Sequence, residues 1–344
     1  MTQKTFASDN YSGVHPRIME ALLRANADHE PSYGNDRYTA SAIRRFKEHF
    51  GDDASVHLVY NGTGANVLGL HALTRPYHAI LCSAFAHIHV DESTAPERLL
   101  GCKLITVPAP DGKMRVEEIE ARIQRIGDPH HPQAKVISLS QCTEYGTVYT
   151  IEELQAISNL AKKYNLYMHM DGSRIANAAV SLNAPFRSFT RDVGVDVLSF
   201  GGTKNGMMFG EAVIIFNRSL AADFPFIRKQ GMQLHSKMRF IGAQFDALLA
   251  NDLWKENAST ANQMARMLAD ELRQIKGVRI TQPVDANGVF AVLPPAVIPA
   301  LQEEAYFYEW NESAHEVRLM CSFDTTEEEV RRFAGRLRQL VATA

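Results

Sequence analysis

The sequence predicts an α/β protein with a mainly parallel seven-stranded sheet covered by helices, plus a small C-terminal α+β domain. The first observation is that short apolar runs alternate with amphipathic stretches between residues 56 and 216. The second is that glycine-rich motifs and motifs with reactive side chains follow these runs directly. They therefore lie at the carboxyl ends of the predicted strands, which is where open parallel sheets bind ligands. The third is that the alternation becomes less regular after Asn217, which indicates a second domain.

The N-terminal part of the chain is predicted to contain an arm and two helices. Residues 1–15 lack helical periodicity and predict an extended arm. Pro16 is typical of a first helical turn, and residues 30–36 have the composition of a loop. A second helix is predicted from Thr39 to Phe50, with Gly51 as its C-cap.

The strands predicted for the large sheet are short, apolar and separated by helices. They are Val56–Tyr60, Ala79–Ser83, Leu104–Val107, Val136–Ser140, Leu166–Met170, Val195–Phe200 and Ala212–Phe216. The intervening helices are predicted at Ala65–Leu73, His87–Leu100, Val116–Ile126 and from the cap Thr150 to Tyr164. Thr150 and Glu153 have the spacing of a capping box, which fixes the start of the last helix.

The remainder of the chain predicts helices followed by a second, smaller set of strands. The helices are Leu220–Gln230, Ala243–Trp254, Thr260–Ile275, Pro295–Glu304 and one from Thr326, and the strands are Val278–Ile280, Gly288–Val292, Tyr306–Tyr308 and Glu316–Cys321. We therefore expect an arm at 1–15, a large domain at 16–245 and a small domain at 246–344.

Composition excludes several classes of partner. Lys and Arg number 36 against 39 Asp and Glu, so no nucleic-acid or anionic-membrane surface is indicated. The four cysteines form no C-x-x-C pair, which favours reduced, buried thiols. No apolar run approaches the roughly 20 residues of a membrane helix, and residues 1–4 begin no apolar signal segment. We expect a cytoplasmic enzyme without nucleic-acid or membrane partners.

The reactive centre is predicted at Lys204, which follows a buried strand and the pair Gly201-Gly202. Glycines allow the backbone to turn sharply and approach a ligand closely. A desolvated lysine is a nucleophile for carbonyls, whereas a solvated lysine beside a glycine turn is the simpler alternative. Asp171 stands at the end of the preceding predicted strand. An amine, a carboxylate and a phosphate cradle are what a pyridoxal phosphate (PLP) site requires.

The phosphate cradle is predicted at Asn61-Gly62-Thr63-Gly64, between a strand and a helix. Amides at a helix N-terminus point outward, and the helix dipole favours an anion there. A dinucleotide site is disfavoured because the third glycine of G-x-G-x-x-G is missing and no acidic residue ends the next strand. An ordinary turn is the remaining alternative.

Two further residues have a functional and a simpler interpretation. His87 could stack on a cofactor ring or relay a proton, or it could be a solvated loop histidine. The pattern His87-Ile88-His89 lacks a supporting carboxylate or cysteine at ligand spacing, so we expect no metal. Arg318 is suited to binding a substrate carboxylate in a bidentate manner, or it forms a surface ion pair.

Taken together, the motifs resemble those of the low-specificity L-threonine aldolases, which belong to the fold-type-I, PLP-dependent β-eliminating lyases. The resemblance covers essentially the whole chain, and the conjunction of motifs is more specific than any one of them. The motifs are Ser8-Asp9-Asn10, Tyr33-Gly34-Asn35-Asp36, Gly62-Thr63-Gly64-Ala65-Asn66, Ala86-His87, Met170-Asp171-Gly172-Ser173-Arg174, Gly201-Gly202-Thr203-Lys204-Asn205-Gly206 and Val317-Arg318-Leu319.

The resemblance implies a fold-type-I PLP-dependent transferase-like fold. It also implies retro-aldol cleavage of L-threonine, L-allo-threonine and related β-hydroxy-α-amino acids to glycine and an aldehyde. Lys204 would form a Schiff base with PLP, Asp171 would contact the ring nitrogen and His87 would stack on the ring. The implied cofactor-binding residues are Gly62, Thr63, Gly64, His87, Asp171, Arg174, Thr203, Lys204, Lys229 and Arg239. The implied substrate-binding residues are Ser8, Tyr33, Arg174 and Arg318.

The chain departs from the family pattern at one position. Many aldolases have Asn-Thr-His-Asn-Gly where this chain has Gln141-Cys142-Thr143-Glu144-Tyr145-Gly146. Glu144 therefore replaces a histidine, and the base that takes the β-hydroxyl proton stays open between His87, Glu144 and a bound water. The implied catalytic residues are Lys204, His87, Asp171 and Glu144.

The resemblance also implies a homo-oligomer, either a dimer or a dimer of dimers, with shared active sites. A neighbouring subunit would supply Tyr33 and basic residues of the loop Lys229–Arg239, with Lys237 as a further candidate. Two alternatives stay open for the function. One is another PLP reaction, namely β-elimination, transamination or racemisation, because fold does not fix chemistry. The other is a nucleotide- or sugar-phosphate-binding α/β protein without PLP.

Overall fold

A computed structural model describes residues 5–343; residues 1–4 of the predicted arm and residue 344 lie outside the described part. The described chain forms one seven-stranded sheet and one four-stranded sheet. The strands of the large sheet are β1 Ser55–Val59, β2 His78–Ser83, β3 Lys103–Val107, β4 Gln133–Ser140, β5 Tyr167–Gly172, β6 Val197–Gly201 and β7 Glu211–Ile215.

The large sheet is mainly parallel, as predicted. Its strand order is β1-β7-β6-β5-β4-β2-β3. All neighbours pair in parallel except β7, which runs antiparallel to both β6 and β1. As a result, the first residue of β7 lies at the same edge as the last residues of β5 and β6.

Helices cover both faces of this sheet, which explains why its strands are apolar on both sides. The helices of the described chain, including those that pack on the small sheet, are α1 Pro16–Ala25, α2 Arg37–Phe50, α3 Gly62–Leu73, α4 His87–Val90, α5 Ala95–Leu100, α6 Val116–Glu120, α7 Ile151–Lys163, α8 Ile175–Leu182, α9 Phe224–Gln230, α10 Arg239–Leu249, α11 Leu253–Arg273, α12 Ile298–Glu304 and α13 Glu327–Thr343. Among residues 5–343, no helix has the length and apolar character needed to cross a bilayer.

Several predicted boundaries were wrong where the backbone reverses locally. The predicted helix from His87 to Leu100 is two short helices, α4 and α5, because Ser93 and Thr94 adopt positive φ between them. In the same way, positive φ at Asn251 and Asp252 separates α10 from α11. The long helix therefore begins at 253 and not at 260.

Three other boundaries also differ. The helix predicted for 116–126 ends at Glu120, ahead of a turn in which Arg125 and Gly127 have positive φ. The helix predicted from 220 begins at Phe224, after a short 3-10 turn. The strand predicted at 306–308 is Tyr308–Asn311.

The small sheet packs on α11 and α13. Its strands are β8 Arg279–Ile280, β9 Gly288–Val292, β10 Tyr308–Asn311 and β11 Glu316–Met320, all antiparallel in the order β10-β11-β9-β8. The N-terminal arm joins this unit, because Phe6 donates to the carbonyl of Tyr306 (2.9 Å) and accepts from the amide of Met320 (2.7 Å). Phe6 is also part of its hydrophobic core. The predicted domain limits at 15/16 and 245/246 stay predictions.

Helix α3 lies against the middle of the large sheet and positions the site. Alternate strand residues enter two separate cores: Leu198 and Ile214 belong to one, and Val197 and Val213 belong to the core that includes α3. The same alternation places Asp171 and Glu211 on the α3 face, at the sheet edge where α3 begins. The N-terminus of α3 and the strand ends therefore meet in one cavity.

Candidate active site

The predicted phosphate cradle forms the N-terminus of α3. Asn61 is the N-cap, and its side chain accepts a hydrogen bond from the amide of Gly64 (2.8 Å). The amides of Gly62 and Thr63 precede it in the first turn, where a helix has no intrahelical acceptor for them. Gly62 and Thr63 both line a cavity of ≈ 330 Å³ that also contains Lys204. The helix end thus directs two amides and the positive end of its dipole toward this cavity.

Lys204 lies in a 3-10 turn, Thr203–Asn205, directly after β6. The glycines before it are required by close packing: a Cβ at Gly201 would lie 2.2 Å from the carbonyl oxygen of Ser173. Burial and the nearby guanidinium of Arg174 lower the pKa of Lys204, although Asp9, Asp171 and Glu211 oppose this shift. The amine is therefore more easily deprotonated than that of a solvated lysine.

Asp171 is a buried carboxylate held by three hydrogen bonds. Its Oδ1 accepts from the amide (2.9 Å) and the hydroxyl (2.7 Å) of Ser173, and its Oδ2 accepts from Nδ2 of Asn66 (2.8 Å). Burial alone would raise its pKa, but the Ser173 bonds and the charges of His87 and Lys204 outweigh it and hold the pKa below the usual value. Asp171 is consequently ionised at neutral pH.

His87 begins α4 and lines the same cavity. Its Nδ1 is hydrogen-bonded to Oε1 of Glu92, and this bond raises the pKa of His87 despite partial burial. Glu92 in turn accepts from Nδ2 of Asn66 (2.9 Å), which also bonds Asp171. His87 is therefore an oriented side chain and not a solvated loop histidine. In residues 5–343 no group of three or more His, Cys, Asp or Glu side chains forms a metal cluster.

Glu144 lies beside the backbone of His87. Its Oε1 accepts from the amide of His87 (3.0 Å) and from the hydroxyl of Ser140 (2.6 Å). Its Oε2 is buried and has no hydrogen-bond partner in the described chain. Burial raises the pKa of this carboxyl group. Glu144, where the chain departs from the family pattern, therefore contacts the backbone of His87 and keeps one carboxyl oxygen without a hydrogen-bond partner in the described chain.

Arg174 is paired with Asp9 of the N-terminal arm. Its Nε and Nη2 donate to the two carboxylate oxygens at 2.7 and 2.8 Å, and Nδ2 of Asn287 donates to the same carboxylate (3.1 Å). Ser8 precedes this ion pair and is within 3.4 Å of Asp9 Oδ1. The arm is therefore joined to the large domain at the predicted carboxylate-binding residues.

Arg318 on β11 lies over two aromatic rings, 5.4 Å from the centroid of Tyr308 and 4.9 Å from that of Trp310. Its Nη2 donates to the carbonyl of Ala7 (3.3 Å), whereas its Nε is buried without a partner in the described chain. Burial, together with the charge of Arg174, lowers the pKa of Arg318 to about 10. It is not a surface ion pair, and it retains donors for an anion.

The residues expected to come from a neighbouring subunit lie apart from this cavity. Within residues 5–343, neither Tyr33 nor Lys229, Lys237 and Arg239 line it. Tyr33 is 47% exposed, and the ammonium of Lys229 lies 5.1 Å from its ring centroid. Arg239 donates to the carbonyl of Asp28 (2.9 Å). These side chains are thus on the outside of the protomer.

Sequence reasoning missed several residues of the site. The cavity is also lined by Asn66, Ser173, Tyr60, Phe209 and Glu211. Glu92 is hydrogen-bonded to His87, which lines the cavity as well. Glu211 had a visible signal, because a single charged residue opens the otherwise apolar run Ala212–Ile215. The predicted strand Ala212–Phe216 begins one residue after it, whereas β7 begins at Glu211.

The chain matches the family model described as beta-eliminating lyase over residues 5–294. The low specificity L-threonine aldolase of Pseudomonas aeruginosa is 43% identical over 98% of this chain and 99% of its own. That of a Pseudomonas sp. is 42% identical over 98% of both chains. The solved structure of Leishmania major threonine aldolase superposes with a TM-score of 0.92 at 33% identity, covering 98% of this chain and 99% of its own.

These matches span the residues of both sheets. The family model covers most of the chain, and two relatives matched over nearly their full length are more than 40% identical to it. Both findings give the same family. The chain belongs to the beta-eliminating lyase family, and the relatives that it matches along its whole length are threonine aldolases.

Proposed function

We propose that this protein is a PLP-dependent aldehyde-lyase that cleaves L-threonine, L-allo-threonine and related β-hydroxy-α-amino acids to glycine and an aldehyde. One observation carries the proposal. Lys204 lines the same cavity as the N-terminus of α3 and as Asn66 and Ser173, the two residues that bond Asp171. An amine and an anion-binding helix end therefore line one space, and an ionised carboxylate is hydrogen-bonded to two other residues that line it.

The residues of the cavity fit PLP by their chemistry. Lys204 would hold the aldehyde carbon of the cofactor covalently, and the first-turn amides of Gly62 and Thr63 would hold its phosphate. Asp171 would pair with the protonated pyridine nitrogen, and Thr203 would add a hydroxyl. His87 would cover the ring. When bound, PLP accepts the electron pair that cleavage of the Cα–Cβ bond leaves behind.

The substrate carboxylate is proposed to bind near Arg318 and Arg174. Arg318 has an unpaired, buried Nε, and a guanidinium forms two parallel bonds with a carboxylate. Arg174 uses one side of its guanidinium for Asp9, so it would contribute through its remaining donors. Ser8, next to Asp9, would complete the contact. These residues would fix the amino acid so that the correct bond is cleaved.

The proton of the β-hydroxyl is proposed to move to His87. The Glu92 bond orients the imidazole and favours its protonated form, so the ring is prepared to accept a proton. Glu144 accepts a hydrogen bond from the backbone amide of His87, and burial raises the pKa of its carboxyl group. We therefore assign Glu144 a supporting role, in which it holds the backbone of His87 at the cavity.

The working form is proposed to be a cytoplasmic homo-oligomer, either a dimer or a dimer of dimers. Four buried, free cysteines support a reducing compartment. Two apolar side chains on and just after α9 are exposed, Phe226 (76%) and Met232 (86%), and Met232 lines a cavity with Thr63 and Gly64 of the cradle. They support a covered surface there. In an oligomer, Tyr33 and the basic residues Lys229, Lys237 and Arg239 would reach the neighbouring cavity. Sedimentation at several concentrations checks this, and a protomer-sized species that is fully active would contradict it.

The function is tested by product analysis with added PLP. L-Threonine and L-allo-threonine should each give glycine and acetaldehyde in equal amounts, with no requirement for a second substrate. Formation of 2-oxobutanoate and ammonia would instead show β-elimination, and a requirement for a 2-oxo acid would show transamination. An absorbance spectrum without a band after PLP addition would contradict the cofactor assignment.

A further inference from the structure

Glu211 brings a carboxyl group into the cavity from the one antiparallel strand of the large sheet. It is the first residue of β7 and is in register with Gly201, the last residue of β6. The remaining residues of β7 are buried and apolar. Burying a charged side chain at the start of such a strand costs free energy in a hydrophobic core. Buried charged groups are instead typical of functional sites.

The side-chain hydrogen bonds of Glu211 within the described chain go to the turn that carries Lys204. Its Oε2 accepts a hydrogen bond from the amide of Gly202 (2.8 Å), and its carboxyl group is also hydrogen-bonded to the side chain of Thr203. These are the two residues immediately before Lys204. The turn has little freedom otherwise, because a Cβ at Gly202 would lie 2.8 Å from the carbonyl oxygen of Gly210.

The charges around Glu211 belong to the same site. The charges that act on the Glu211 carboxyl group are those of Lys204 and Asp171. The charges that act on the Lys204 amine, besides that of Glu211, are those of Arg174, Asp9 and Asp171. Burial raises the pKa of Glu211 to about 7, although the bonds from Thr203 and Gly202 and the charge of Lys204 act against it. In the other direction, the negative charge of Glu211 raises the pKa of the Lys204 amine.

We propose that Glu211 is a positioning residue for Lys204, which fixes the Gly202–Lys204 turn and adjusts the protonation of the amine through its charge. The proposal rests on the proposed function of Lys204 as the residue that takes up PLP. Only the uncharged amine reacts with an aldehyde, so the charge state of Lys204 determines how fast the cofactor is taken up. Glu211 sets this state without contributing to substrate binding.

The test measures PLP uptake by the full-length apoprotein as a function of pH, followed by absorbance. Glu211→Gln keeps an oxygen that can accept from Gly202 but removes the charge. Since a negative charge beside Lys204 favours its protonated form, the pH midpoint of the uptake rate should fall by about half a unit or more in this variant. Glu312→Gln, a change at an exposed glutamate of the small domain, should retain the wild-type midpoint.

A second variant separates the charge from the contact. Glu211→Asp keeps the charge but shortens the side chain, so we expect a midpoint near that of the wild type and uptake several-fold slower. A Glu211→Gln midpoint equal to that of the wild type would overturn the proposal. If Glu211→Gln does not fold, a Glu211→Asp protein with wild-type uptake rates would overturn it as well. Wild-type protein that takes up no PLP at any pH would overturn the proposed function, together with this inference.

Discussion

Nδ1 of His87 lies 2.8 Å from Oε1 of Glu92, a carboxylate whose side chain is completely buried. The imidazole faces the cavity, while the carboxylate beneath it is also bonded to Asn66. A histidine supported in this way has a fixed orientation, and its basicity depends on the carboxylate. The pair therefore offers a way to test which residue takes the β-hydroxyl proton.

We expect Glu92→Gln to shift the pH dependence of kcat. The Glu92 bond is the largest contribution that raises the pKa of His87, so its loss lowers that pKa. A base is inactive below its pKa; hence the acidic limb of the profile should move to lower pH, and kcat should fall by about 10- to 100-fold. Glu97→Gln, on α5, serves as a control outside the cavity. A profile that coincides with the wild type would instead favour Glu144 or water as the base.

Lys204→Ala should abolish both cofactor retention and turnover. The variant removes the only atom proposed to bond PLP covalently, so the absorbance band of the bound cofactor should be lost after gel filtration. Lys255→Ala, at an exposed position of α11, should keep the band and the activity. Substantial aldehyde release by Lys204→Ala would contradict the assignment.

Arg318→Ala and Arg318→Lys should weaken substrate binding to different extents. Removing one partner of a buried charged pair costs about 2 to 5 kcal/mol, so kcat/KM should fall by at least 30-fold in Arg318→Ala. Arg318→Lys keeps the charge but loses the planar fork, and its loss should be smaller. Arg331→Ala, whose ion pair with Glu327 is exposed, is the matched control. KM values equal to that of the wild type would remove Arg318 from the carboxylate site.

Two glycine substitutions should have opposite effects on stability. In Gly201→Ala the new Cβ would meet the backbone of Ser173 at 2.2 Å, so the free energy of unfolding should fall by about 3 kcal/mol. In Gly335→Ala the Cβ meets nothing within 4 Å inside helix α13, and the gain should be about 0.5 to 1 kcal/mol. Urea unfolding of both variants checks this; a Gly201→Ala protein as stable as the wild type would show that β6 can shift.

The large sheet and the central residues of the site could be predicted because both depend on local patterns. Apolar runs identify strands, and the carboxyl ends of neighbouring parallel strands meet at one edge, which brings Asp171 and Lys204 together. Strand β6, which leads into the turn of Lys204, and strand β5, which carries Asp171, are in fact adjacent. The conjunction of motifs then indicated the family.

The remaining contacts depend on backbone details that no periodicity encodes. Glu92 contacts His87 from the segment that follows α4, which ends at Val90, whereas an uninterrupted helix was predicted there. The Asp9–Arg174 ion pair joins residues 165 positions apart, so nothing in the local sequence indicates it. Glu211 enters the cavity through the antiparallel pairing of β7 with β6, a tertiary contact that the local pattern of residues 211–216 does not indicate.

The antiparallel course of β7 makes the register of the hairpin after Lys204 a determinant of the chemistry. Strand side chains alternate between faces, so Glu211 points to the cavity while Ala212 points into the opposite core. If β7 were shifted by one residue so that Ala212 paired with Gly201, a methyl group would stand where the carboxyl group stands. The electrostatics at Lys204 therefore depend on strand register as well as on the identity of the residues in the site.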